Sequence, residues 1–366
     1  MPKVFLKKKK NIKNTEGVKI RCYVSGEKFF LKSTKKYMLK IAHSPIYKLE
    51  LPEGHRFPML KYELICEQLL YEGTVTNDNI FHPKMLTPEV ILATHTADYW
   101  QRLSRAELTP KEMRKIGFPL TEQLIKRTIT ISGGTVECAL FALKYGVSMN
   151  TAGGTHHSFS DHGEGFCMLN DVAIAANYLI DNNLAKRILV VDLDVHQGNG
   201  TAEIFRNSNR RWSKKNRNDQ NTLSKGENTE GPLSENSGRV FTFSVHGANN
   251  YPLHKEQSDL DIGLPDGVED AFYLKVVSEN LKMLFDEVQP DFVFFNSGVD
   301  VLATDKLGKL NLTQEGCRQR DRLVFEMCKK NNIPISVSMG GGYSPRVATI
   351  VEAHANTFRT AQSIFF

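Results

Sequence analysis

Asp192, Asp194 and His196 follow the apolar run Ile188-Leu189-Val190-Val191 at a spacing of two. Alternate residues of a strand point to one face, so the three side chains are expected to share a side where the strand ends. Two carboxylates and an imidazole at the mouth of a buried sheet are potential ligands of a divalent cation. As packing they are hard to explain, because a desolvated carboxylate is costly unless a cation or strong hydrogen bonds compensate. The competing reading is a polar strand end that happens to be acidic. It suits this segment alone and loses ground to what surrounds it.

Three further segments carry chemistry at the ends of strand-like runs. Gly153-Gly154-Thr155-His156-His157 places adjacent imidazoles after two glycines, where the backbone can approach a partner closely. A lone buried histidine is usually a satisfied core residue, but a pair beside a carboxylate-rich strand end points to acid–base work. Asn296-Ser297-Gly298-Val299-Asp300 supplies another carboxylate, which by itself reads as a cap or turn residue. Met339-Gly340-Gly341-Gly342-Tyr343 strips side chains from a surface and leaves one tyrosine hydroxyl displayed. Three glycines also suit a phosphate loop, yet no GK[ST] follows them.

The elements that must position these segments alternate from Met38 onward. Helical periodicity appears near 59–72, 88–104, 133–145, 169–182, 268–288 and 314–331, and strand-like runs at 39–42, 146–152, 187–194, 239–246, 291–298 and 333–339. Ile188–Val191 and Phe292–Phe295 are apolar on both faces, as strands covered by helices should be. The pattern predicts a single doubly wound α/β domain over 38–366, with a mainly parallel central sheet flanked by helices. In such a domain the active site lies at the C-terminal ends of the strands. Residues 208–237 hold Leu223, Leu233 and Trp212 as their only large apolar side chains and are expected to form a disordered surface insertion.

Forty per cent of the chain is hydrophobic and 24% charged, an ordinary globular composition. No apolar run approaches the ~18 residues of a membrane span, and the start lacks the apolar core of a secretory signal. The six cysteines form no CxxC pair, which fits reduced thiols and a cytoplasmic protein, or a nuclear one in a eukaryote. The net charge of +6 is concentrated at the start. Residues 1–37 hold eleven Lys and one Arg against Glu16 and Glu27, a net +10 that leaves −4 for the rest. This basic extension, with a short hairpin around Val24–Glu27, is expected to lie outside the core, or upstream of a start at Met38. A targeting or anionic-surface arm is the alternative, for which a lysine run is a weak signal. The body gives no electrostatic argument for nucleic-acid binding.

Taken in order, GGTHH, GFC (Gly165-Phe166-Cys167), DLDVHQGNGT, SGVD and GGGY closely resemble the zinc-dependent histone deacetylase superfamily, which includes acetylpolyamine amidohydrolases and acetoin-utilisation proteins. The likeness runs from about Met38 to Phe366, interrupted at 208–237, and implies the arginase/deacetylase α/β fold. The HQGNG wording and Asp305-Lys306-Leu307-Gly308-Lys309-Leu310 look most like the class IV branch.

The resemblance also implies roles. Asp194, His196 and Asp300 match the zinc ligands, a set that also suits Fe²⁺ or Co²⁺. His156 and His157 match the tandem histidines beside the attacking water, and Asp192 matches the carboxylate that pairs with His156. Tyr343 matches the donor to the substrate carbonyl. Asn199 stands where class I enzymes carry a second Asp to orient the other histidine. The class II and class IV branches resemble this chain there, so no inactivation is read from it. Gly165, Phe166, Tyr251 and Gly341 match the acyl-lysine channel, and Ser244, with carbonyls of Asp192, Asp194 and His196, matches a monovalent-cation site for K⁺. The implied reaction is metal-dependent hydrolysis of acyl-lysine in proteins or peptides. Two alternatives are a small-molecule amidohydrolase acting on acetylpolyamines and a catalytically silent acyl-lysine binder. Acyl length, native metal, substrate and oligomeric state stay open.

Overall fold

Both faces of the strand expected at 187–194 are buried, as a sheet covered on two sides requires. Leu189 and Val191 join one apolar layer and Ile188 and Val190 the other. Val293 and Phe295 against Phe292 and Phe294 repeat the alternation. The computed structural model describes residues 20–24, 27–31, 38–206 and 238–366. The insertion expected at 208–237, and the extension 1–37 apart from the two strands below, lie outside the described residues.

The chain divides into two units, Met1–Met38 and Leu39–Phe366. In the first, β1 (Ile20–Val24) and β2 (Glu27–Leu31) pair antiparallel with Val24 opposite Glu27, the hairpin that the sequence suggested. The second unit begins β3 (Lys40–Ala42), α1 (Lys61–Tyr71), β4 (Ile80–Phe81), α2 (Pro88–Leu92), α3 (Ala97–Ser104), α4 (Pro110–Ile116) and α5 (Glu122–Tyr145). It continues β5 (Val147–Asn150), α6 (Asp171–Asp181), β6 (Arg187–Asp192), α7 (Asn199–Arg206), β7 (Arg239–Gly247) and β8 (Leu260–Leu264). The last elements are α8 (Asp270–Val288), β9 (Phe292–Asn296), α9 (Gln314–Lys330), β10 (Ile335–Ser338) and α10 (Val347–Phe365).

Strands β3 to β10 form one eight-stranded sheet in the order β4-β3-β5-β10-β9-β6-β7-β8. Every pairing in it is parallel. From β6 the chain works outward through β7 and β8, then returns through β9 and β10 on the other side of β6. That reversal is the switch point at which doubly wound sheets place their ligands. Helices α5 and α6 pack on one face, and α8, α9 and α10 on the other.

Several elements differ from expectation for identifiable reasons. The helix expected at 88–104 is broken, because Thr96 caps α3 by accepting from the Tyr99 amide. Helix α5 starts at Glu122, well before the expected 133, since its run from Arg127 to Val136 is buried all round and shows no amphipathic period. Gly133 and Gly134 sit inside α5 where a methyl group would strike the Lys84 carbonyl and the Tyr47 hydroxyl. Among the described residues no helix is long and apolar enough to cross a membrane.

Candidate functional site

The four central strands of the sheet, β5, β10, β9 and β6, are neighbours, and each releases one of the four chemistry-bearing segments at its carboxyl end. Ligand atoms of Asp194, His196 and Asp300 lie within 4.8 Å of one another, and all three residues are buried. The His196 Nδ1 is 3.0 Å from Asp194 Oδ1 and 3.1 Å from Asp300 Oδ2. The alternation carries on past the end of β6 at Asp192, although the residues that follow bend. Leu193 and Val195 sink into the apolar core, which turns Asp194 and His196 the other way. Asp192 takes a different partner from the other two.

A methyl group at Gly341 would fall on the Asp300 carboxylate and would have to displace it. Its amide donates to Asp194 Oδ2 at 2.6 Å. Burial and the neighbouring Asp194 charge push Asp300 up to about 7. For Asp194 burial acts upward too, but the His156 and His196 imidazoles outweigh it and hold the carboxyl well below the usual range. Two crowded carboxylates around one imidazole nitrogen fit a divalent cation that accepts nitrogen and oxygen donors.

The His156 Nδ1 lies 2.6 Å from Asp192 Oδ2, and Asp192 Oδ1 accepts from Asn296 Nδ2 at 3.0 Å and from the Asp194 amide at 3.2 Å. His157 Nδ1 lies 2.6 Å from Asn199 Oδ1. The two imidazoles are 4.2 Å apart at 50°, yet their environments push them in opposite directions. Burial alone would lower His156, but Asp192 and Asp194 overcome it and lift the pKa to about 9. His157 is held well below its ordinary value by burial, then by His156 and His196. Neighbouring groups with divergent pKa values are how one site holds both an acid and a base.

Tyr343 leaves the glycine run with its ring 6.4 Å from His196, and its amide donates to Asp305 Oδ2 at 2.6 Å. Asp305 also accepts from the Leu307 and Gly308 amides, so it pins two loops together. Phe166 packs against Phe57 at 5.0 Å and Phe118 at 5.2 Å between ring centroids. It has φ 67°, and Gly165 before it has φ 55°. With the Cys167 amide donating to the Glu164 carbonyl at 2.8 Å, these form a tight turn with two left-handed central residues. Tyr251 stands edge-on to His157 at 5.0 Å. An outer cavity of about 210 Å³ is lined by Arg56, Lys115, Phe166, Tyr251, Leu307 and Tyr343. Ser244 is on β7 in register with Asp192, its hydroxyl 2.9 Å from His246 Nδ1.

Sequence reasoning missed several residues that hold this arrangement. Glu164 accepts from Asn199 Nδ2 at 2.6 Å. Lys61 is buried, donates to the Gly340 carbonyl at 3.3 Å, and lies 5.7 Å from the Tyr343 ring. Arg320 is fully buried and donates to the Leu193 carbonyl at 3.0 Å and the Gly298 carbonyl at 2.5 Å. Those carbonyls belong to the two loops that carry Asp194 and Asp300. Arg320 also donates to Ser297 Oγ and to Asp321 Oδ1. Nothing in the local sequence marks any of these contacts, because each partner is distant along the chain or hidden in a charged helix.

The sequence model of the histone deacetylase domain matches residues 55–358. The chain is 38% identical over 325 residues to an uncharacterized protein of Picosynechococcus sp., covering 89% of this chain and 99% of that one. To histone deacetylase 2 of Arabidopsis thaliana it is 24% identical over 314 residues, 81% of this chain and 72% of the other. To histone deacetylase RPD3 of Saccharomyces cerevisiae it is 28% identical over 304 residues, 80% and 65% respectively. Among solved structures, an HDAC homologue complexed with SAHA aligns with a TM-score of 0.70 at 22% identity, covering 89% of this chain and 84% of that one. An HDAC homologue from Aquifex aeolicus aligns with a TM-score of 0.68 at 23% identity, covering 87% and 82%. At these identities the two structures speak to the fold.

Proposed function

This chain belongs to the histone deacetylase family, and from that premise we propose that it is a metal-dependent hydrolase removing acetyl or longer acyl groups from lysine side chains of proteins or peptides. The observation that carries the reading is the convergence of Asp194, His196 and Asp300 beside a histidine pair with opposed pKa shifts. In this reading Asp194, His196 and Asp300 hold the cation, Zn²⁺ first and Fe²⁺ or Co²⁺ as alternatives. K⁺ would sit by Ser244 and the carbonyls of Asp192, Asp194 and His196. The motif wording favours the class IV branch.

A divalent cation in this set supplies Lewis-acid polarisation of the amide carbonyl and makes water a better nucleophile. His157, kept neutral by its surroundings, takes the proton of the attacking water and returns it to the leaving amine. Tyr343 donates its hydroxyl to the carbonyl oxygen as negative charge develops there, where a fixed donor contributes most. His156, held by Asp192, places positive charge on the other side of the reacting centre. Phe166 and Tyr251 form walls for an extended aliphatic chain, with Gly165 and Gly341 leaving room for it.

The acetylpolyamine alternative is less favoured by the opening. Arg56 and Lys115 line it, and a polycationic substrate would approach two like charges. The test is turnover of acetyl-lysine peptide, long-chain acyl-lysine peptide and acetylpolyamine by metal-loaded protein, with and without chelator. Chelator-sensitive turnover of an acyl-lysine peptide is the expected result. Inertness toward both peptides, or preference for the polyamine, would overturn the reading.

A further inference from the structure

Asn199 occupies a place where an amide is an ambiguous partner. Its oxygen accepts and its nitrogen donates, so facing His157 one way it holds a proton on Nδ1, and facing it the other way it demands a bare Nδ1. Only the first leaves Nε2 with a lone pair able to take a proton from water. A carboxylate would impose that choice by itself, whereas an amide needs something to fix its direction.

We propose that Glu164 is the positioning residue that fixes the Asn199 amide and, through it, the tautomer of His157. An ionised carboxylate only accepts. Glu164 Oε1 lies 2.6 Å from Asn199 Nδ2, so the amide nitrogen faces Glu164 and the oxygen faces His157 Nδ1 at 2.6 Å. After burial, the same carboxylate helps push the Tyr251 hydroxyl up, and the Tyr251 ring stands edge-on to His157 at 5.0 Å. Glu164 sits at the first position of the tight turn whose central residues are Gly165 and Phe166, which aims its side chain at Asn199 without help from a helix or strand. The assignment of His157 as the base rests on the function proposed above, whereas its tautomer can be read without any turnover.

The test uses full-length, metal-loaded protein labelled with ¹⁵N-histidine, and reads which His157 nitrogen carries the proton. The wild type should show the proton on Nδ1, and Glu164→Ala should shift it wholly or partly to Nε2. On a responsive acyl-lysine peptide, Glu164→Ala should lower kcat by ~10–100-fold, the usual range for losing an outer orienting partner, with KM changed much less. Asn199→Asp should then restore Glu164→Ala to within a few-fold, because a carboxylate at 199 fixes the tautomer unaided. The same Asn199→Asp change in the presence of Glu164 should impair the enzyme, since it sets two carboxylates against each other. A purely structural role for Glu164 predicts no such reversal of sign. An unchanged His157 tautomer in Glu164→Ala, or failure of Asn199→Asp to rescue an active background, would overturn the proposal. If wild-type protein proves inert toward acyl-lysine peptides, the proposed function falls while the imidazole spectrum still decides the role of Glu164.

Discussion

Replacing Arg320 with methionine should destabilise the protein out of proportion to a single side chain on a helix. The guanidinium donates to two carbonyls, Leu193 and Gly298, and to Ser297 and Asp321, with no exposed surface. Methionine roughly conserves the volume and removes every donor. Breaking a buried ion pair from one side costs ~3–5 kcal/mol. Asp321 keeps the Thr357 hydroxyl at 2.7 Å and the Ser297 hydroxyl at 3.2 Å, which argues for the lower half of that range. Stranding the two carbonyls adds about 1 kcal/mol each. A loss of about 5 kcal/mol is therefore expected, comparable to the whole stability of a marginal domain. By calorimetry this should appear as a fall in melting temperature on the order of 10 °C. The double variant Arg320→Met, Asp321→Leu removes the stranded charge and should recover part of it. A single variant melting within 2 °C of wild type, or a double variant worse than the single, would refute the reasoning.

Other expectations follow from the site. Asp194→Ala, His196→Ala and Asp300→Ala should each abolish both metal retention and turnover, since each removes one of the converging donors. Metal analysis showing a full complement in Asp300→Ala would remove it from the ligand set. Asp192→Ala should reduce activity by ~10–100-fold through His156, with less effect on metal content. Tyr343→Phe should leave fold and metal intact and lower kcat by ~10²–10³ with little change in KM. Steady-state kinetics within three-fold of wild type would make Tyr343 a channel wall only. In chelated protein, against the downward pull of burial, Asp192 and Asp194 push His156 up to about 9, and Asp194 and Asp300 push His196 up to about 10, from 6.5 for the free side chain. A raised folded pKa contributes stability that is complete below pH 6.5 and disappears as pH rises through about 9 for His156 and about 10 for His196. The melting temperature of chelated protein should therefore fall across that window, and a flat or rising curve would count against both imidazole–carboxylate pairings, His156 with Asp192 and His196 with Asp194 and Asp300.

What could be read from the sequence was whatever is local. Each of the four segments is contiguous and sits just past a strand-like run, so its residue types and its address at the sheet's carboxyl edge were legible. The first half of α5 was not, because a segment buried all round lacks the periodicity that betrays a helix. The direction of a charge was also hidden. Arg318, Arg320 and Arg322 recur at every second position of α9, and a step of two on a helix turns about 200°. The outer two are exposed and pair with Glu315 and Glu326, while the middle one faces the core. Glu164 and Asn199 are 35 residues apart. A carboxylate that acts through an intervening amide leaves no spacing signature.

The position of β10 bears on how the protein is made. It is the last strand in the chain, yet it lies in the middle of the sheet, between β5 and β9. Until residue 338 leaves the ribosome, β4-β3-β5 and β9-β6-β7-β8 exist only as two partial sheets, each presenting an open inner edge of unpaired backbone. Such edges invite pairing with other chains, and joins between strands distant in sequence form slowly. The same closure brings the glycine run and Tyr343 to the Asp194–His196–Asp300 cluster. A nascent or truncated chain therefore holds all three candidate ligands without the glycine run and Tyr343, and the step that completes the candidate site is also the step that ends exposure to aggregation.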